Sequence, residues 1–216
     1  MAEAAAMLYA VQRLLLAVPC LYLSYALVNV WLDPMAWDQG RWVPYAVGIL
    51  LVEFLVIHAG VLITNMAATQ TGFARKMKLF VGLAAMYLLM GLGFALSTDS
   101  MSLLLILVGV MVSRFLAALN ADPAGRKRQQ ARSGFAAVIY LGAVFATLFL
   151  PIPEFGITNT VLAEVYPQRG GGVWEREPER AIAAGACYFG VLGIAELCWP
   201  QKDKDQRPAI VDNPNG

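Results

Sequence analysis

Glu53 and His58 lie five residues apart inside Val43–Thr64, a stretch of almost wholly apolar residues, and His58 is the only histidine in the chain. Ionisable groups are costly in hydrocarbon, so each needs a partner, a wet cavity or a function. Arg114 and Glu196 sit in two further apolar stretches. A carboxylate with no easy reach to water can bind a proton or a cation and couple its movement to a change of shape. Glu53 and His58 are thus the candidates for substrate or proton binding. Arg114 and Glu196 are candidates for an intramembrane polar network.

Helix geometry separates the first two. Five residues turn a helix by about 500°, which leaves Glu53 and His58 pointing ~140° apart. They cannot form a same-face pair, so no metal site arises from these two alone, and one histidine excludes bis-histidine haem. At 1.5 Å per residue, Glu53 falls ~15 Å below the outer start of its span and His58 ~22 Å below it. Arg114 at ~20 Å and Glu196 at ~22 Å share the layer of His58, which suggests an Arg114–Glu196 ion pair with His58 beside it. Tyr22, Ser24, Tyr25, Asn29, Tyr87 and Tyr140 could continue a hydrated path, although packing explains the tyrosines equally well.

The elements that must carry these residues are six apolar segments. Their approximate limits are 10–32, 43–64, 77–96, 101–119, 133–151 and 181–199. About 20 such residues cross the hydrocarbon core of a bilayer, and 59% of the chain is hydrophobic against 14% charged. Breakers divide the segments, notably Asp33-Pro34 and Asp122-Pro123. The first segment is too long for a signal-peptide core, and Pro19 before Cys20 does not suit a lipoprotein signal, so it is read as a retained helix. A soluble bundle would lack the polar surface to face water.

Most of the 16 basic residues fall on one side of this pattern: Arg13, then Arg75, Lys76 and Lys78, then Arg126, Lys127, Arg128 and Arg132, then Lys202, Lys204 and Arg207. Arg41, Arg169, Arg176 and Arg180 fall on the other. The positive-inside rule then predicts an all-α integral membrane protein of six transmembrane helices in the plasma (inner) membrane, with both termini cytoplasmic. Residues 1–199 form one transmembrane domain, and 200–216 form a charged, disordered tail. Within 152–179, the one long external loop, Thr158 or Asn159 should cap a short helix ending before Pro167, and Pro178 suits a first helical turn. Small residues at spacing four, Gly142 with Ala146 and Ala186 with Gly190, should admit close helix contact.

The net charge of +1 gives no basic excess for nucleic acid. Cys20, Cys187 and Cys198 show no metal or redox spacing, and no cofactor is implied. Hydrolase motifs are missing, so no catalytic residue is assigned and an intramembrane enzyme is the least favoured class. The leading expectation is a small-solute or ion transporter, or its membrane subunit, that uses the midplane carboxylate. The competing expectation is a non-catalytic subunit or assembly factor. The bilayer is the expected partner in either case, together with a membrane-protein partner or further copies of the chain.

Overall fold

The computed structural model describes residues 2–68, 72–97, 108–109, 112, 123–167 and 170–198. Among them every regular element is helical and there is no strand. In chain order they are α1 (Ala2–Leu32), two 3-10 turns (Pro34–Ala36 and Asp38–Gly40), α2 (Trp42–Ala68), α3 (Phe73–Ser97), α4 (Pro123–Phe149), α5 (Asn159–Val165), α6 (Val173–Arg176) and α7 (Pro178–Cys198). Four helices contain stretches long and apolar enough to cross a membrane: Arg13–Leu32, Trp42–Leu62, Gln130–Phe149 and Pro178–Cys198. In α3 the apolar part, Met77–Gly93, is shorter. Most of the expected span at 101–119, Arg114 included, and the tail at 200–216 lie outside the described residues.

The centre of the bundle is α7, which packs on α1, α2 and α4. Its composition explains the position. Ala181, Ala183, Ala184, Gly185, Ala186 and Gly193 are buried small residues that let neighbouring backbones approach. A Cβ at Gly185 would meet Leu50 and Leu27, and one at Gly193 would meet the side chain of Leu21. Ser24 of α1 donates a 2.7 Å hydrogen bond to the Ala186 carbonyl, and a Cβ at Gly190 would stand 3.0 Å from the Ser24 hydroxyl. The Ala186–Gly190 face therefore does meet a helix.

Gly142 and Ala146 do not behave the same way. Both are exposed, and a Cβ at Gly142 would meet nothing within 4 Å. The face of α4 turned inward is instead Ala137, Tyr140, Val144 and Thr147, spaced three, four and three. Tyr140 settles this choice, because its ring fills the core and its hydroxyl finds the Leu50 carbonyl at 3.0 Å.

Helix α2 is buried on two sides. Val43, Ala46, Leu50 and Ile57 belong to the main core with α1, α4 and α7, while Val52, Leu55, Val56 and Ala59 form a second cluster with Tyr87 and other α3 residues. Outward faces stay apolar. Leu89 on α3 is 71% exposed and Phe149 on α4 is 81% exposed, with many others beside them. Apolar surface on this scale suits hydrocarbon and is poorly matched to water.

The segment after α4 folds back on the end of α1. Trp31 donates through Nε1 to the Pro153 carbonyl at 2.8 Å, its ring meets Phe155 edge-on, and its own carbonyl accepts from Gly156 at 3.1 Å. Gly156 is required there, since a Cβ would lie 2.5 Å from the Leu32 carbonyl oxygen. Thr158 caps α5 by accepting from the Val161 amide. Leu162 is buried, and Val165 packs so tightly on Gly40 that a Cβ there would overlap it. Nearby, burial raises the Tyr166 phenol above its usual range, and the Glu175 carboxylate adds to the effect. The loop is a built cap on this end of the bundle.

Candidate functional site

Glu53 occupies a core position of α2. The buried residues Val43, Ala46, Leu50 and Ile57 follow a three–four–three–four spacing once Glu53 is placed between the last two. Such spacing keeps one helix face turned to its neighbours. The carboxylate is therefore directed at the main core, where an apolar side chain would otherwise stand, and Glu53 is half-buried.

Its partner comes from α7. Tyr188 is buried and its hydroxyl donates a 2.7 Å hydrogen bond to Glu53 Oε1. Tyr140 of α4 meets the Tyr188 ring edge-on, with centroids 5.4 Å apart, and Phe189 adds a second edge contact at 4.9 Å. Helices α2, α4 and α7 thus meet at this carboxylate, Tyr188 bonding it directly and Tyr140 packing on the Tyr188 ring. Chemically the arrangement can hold a negative carboxylate through the Tyr188 donor. It can also hold a protonated carboxyl, whose own O–H must then find an acceptor.

His58 is elsewhere. As helix geometry requires, its exposed imidazole leaves the Glu53 face. Nδ1 lies 2.8 Å from the Phe54 carbonyl, so that nitrogen carries the proton and donates. Phe54 also covers the imidazole, with ring centroids 4.0 Å apart.

Glu196 belongs to a third place, near the end of α7. Its Oε2 lies 3.3 Å from Arg132 Nη2 of α4, and its backbone carbonyl accepts from Arg13 Nε of α1 at 3.2 Å. Of the layer expected from depth, His58 contacts Phe54 and Glu196 contacts Arg132, while Arg114 lies outside the described residues. Helix α4 runs from Pro123, so Arg132 lies within its helical body instead of in a loop.

Of the remaining polar candidates, Tyr22 and Tyr25 point outward from α1, 56% and 60% exposed. Asn29 turns back to the Tyr25 carbonyl at 2.8 Å, and Tyr87 is buried against α2. Only Tyr140 joins the Glu53 cluster. Tyr188 escaped the sequence reading, although a signal existed. It lies ten residues into α7 and Glu53 eleven residues into α2, which places both ~15 Å from the same end of the bundle. Among the described residues no group of three or more His, Cys, Asp or Glu side chains could hold a metal ion.

No protein family, curated protein or solved structure matches the chain, so its site is read from its own geometry.

Proposed function

We propose that this chain is a multi-pass membrane protein that moves a small solute or an ion, alone or as the membrane subunit of a transporter, with Glu53 as its proton- or cation-binding carboxylate. The observation that carries this reading is the hydrogen bond from Tyr188 to Glu53, made inside the bundle between two core helices. A carboxylate facing lipid would have argued against it. A carboxylate in the core stripe can change the α2–α7 contact when it gains or loses a proton, because the bond pattern available to Tyr188 changes with it.

The finer topology belongs to the same proposal. Six spans with both termini cytoplasmic in the inner membrane place Arg13, Arg132 and Glu196 at the cytoplasmic end, and Trp31, Trp37 and Trp42 at the outer interface. The alternative reading is a non-catalytic subunit or assembly factor. It is favoured by the same bond seen differently, since Tyr188 and Glu53 also tie α2 to α7.

Charge displacement in proteoliposomes on a solid-supported membrane separates the two. Jumps of proton, sodium or potassium concentration should drive a transient current in the wild type, and Glu53→Gln should abolish it while the protein remains folded. A wild type silent to all three jumps, or a Glu53→Gln variant with undiminished current, overturns the transport reading. Loss of a co-purifying membrane partner in that variant is the result the subunit reading expects.

A further inference from the structure

A cavity of about 240 Å³ opens between α2 and α4, lined by Ile57, His58, Val61, Leu62, Ala137, Tyr140 and Leu141. Its walls are almost entirely apolar, and two features of it are specific. The first is the imidazole. Because Nδ1–H is committed to the Phe54 carbonyl, the neutral ring presents Nε2 as a hydrogen-bond acceptor. The second is Ala137, whose small side chain on the inward stripe of α4 leaves room in front of Tyr140.

Leu62 and Leu141, two of the lining residues, are both exposed on the apolar exterior. A ligand arriving there comes from the hydrocarbon. Sites that enclose a whole drug-sized molecule span roughly 300–1,000 Å³, so this slot takes a head group and leaves a tail outside. A flat ring suits it, because Tyr140 and His58 both line it and ring–ring contacts add to simple burial. A cationic head would find no counter-ion among the lining residues. A neutral O–H donor, in contrast, meets the acceptor the slot provides.

We propose that this slot binds the hydroxylated aromatic head of a lipid-dissolved molecule, its O–H donating to His58 Nε2 and its alkyl tail leaving between Leu62 and Leu141. The site is separate from Glu53. Tyr140 stands between them, with its ring against Tyr188 on one side and at the slot on the other.

The test uses the full chain in nanodiscs and two radiolabelled probes, 4-nonylphenol and its methyl ether 4-nonylanisole, which differ only in the donor. The phenol should bind saturably above its partition into empty nanodiscs, and the ether more weakly by about tenfold, the value of one buried hydrogen bond. His58→Phe keeps a ring in place and should erase the difference between the probes. Ala137→Phe keeps the imidazole but fills the slot, and should remove saturable binding of both. Binding of the phenol is measured without any ion gradient, so failure of the transport reading leaves this one standing. Equal affinity for the two probes, a preference that survives His58→Phe, or binding unaffected by Ala137→Phe overturns the proposal.

Discussion

Tyr188 on α7 donates a 2.7 Å hydrogen bond to Oε1 of Glu53 on α2, and its ring stands edge-on to Tyr140 of α4. The bond joins two helices that otherwise meet through apolar and small side chains. A hydrogen bond to a charged acceptor contributes about 1.5–3 kcal/mol, and leaving a buried polar group unpaired costs a similar amount. Tyr188→Phe retains the ring contacts and removes only the donor. It should destabilise the protein by about 1–3 kcal/mol in denaturant titration from detergent micelles. Glu53→Leu removes the acceptor of that bond and should also destabilise. The double variant Glu53→Leu/Tyr188→Phe should recover most of the loss, since a polar pair replaced by apolar groups of similar volume is often neutral. Strictly additive losses would mean that the two side chains do not depend on each other.

The sequence carried more about position than about partners. Apolar length located the four helices that are long enough to span, and the five-residue offset already separated Glu53 from His58. Thr158 and Pro178 marked the starts of α5 and α7 through capping chemistry that needs no tertiary context. The role of Glu53 in a core stripe was also available, in Val43, Ala46, Leu50, Glu53 and Ile57. Partners are a different matter, because they depend on how each helix is rotated. Nothing local in α4 says that Tyr140, and not Gly142, turns inward. Arg132 and Arg180 read from sequence as loop charges counted for orientation. Each proves to reach across to another helix.

The ion pair of Arg132 with Glu196 calls for a modest expectation. Their side chains are 43% and 19% exposed, so solvent screens the attraction and the pair contributes at most about 1 kcal/mol. Glu196→Arg should cost more than Glu196→Gln, because Arg13 and Arg132 both approach the end of α7. Adding Arg132→Glu to Glu196→Arg should restore part of the loss. Thermal melts of the four proteins at low and high salt measure this, and the recovery should shrink as salt rises. A recovery independent of salt would point to packing as its source.

Two glycines make a matched test of the α1–α7 contact. A Cβ at Gly193 would fall 2.7 Å from Leu21 side-chain atoms and 3.2 Å from the Leu21 backbone nitrogen, so α1 itself must give way. Gly193→Ala should lower stability by about 1–3 kcal/mol, the usual range for overpacking. Gly142→Ala meets nothing within 4 Å and relieves the helix of a flexible residue. It should be neutral or stabilising by up to about 1 kcal/mol. Melting temperatures of the two variants should therefore move in opposite directions or differ clearly. Equal shifts would show that α1 and α7 are not held as closely as their glycines allow.

Arg180 closes the other end of the bundle. From the first turn of α7, its Nη1 donates to the Thr147 carbonyl at 2.6 Å and reaches those of Leu148 and Leu150 at 3.2 and 3.3 Å, while Nε engages Glu177. The last carbonyls of a helix have no partner within it, and a cation there also complements the helix dipole. One guanidinium thus caps α4 and fixes the start of α7 against it. Arg180→Ala should release that end. Amide exchange should accelerate around Leu148 to Leu150, where the Leu150 amide now bonds the Ala146 carbonyl at 2.8 Å, and stability should fall by about 1–3 kcal/mol. Arg180→Lys should recover only part of the protection, because an ammonium lacks the planar fork that serves several acceptors at once. Exchange in α3, which packs on α2, should stay unchanged in both variants. Acceleration spread evenly over all helices would show general loosening, and it would remove the case for a local cap.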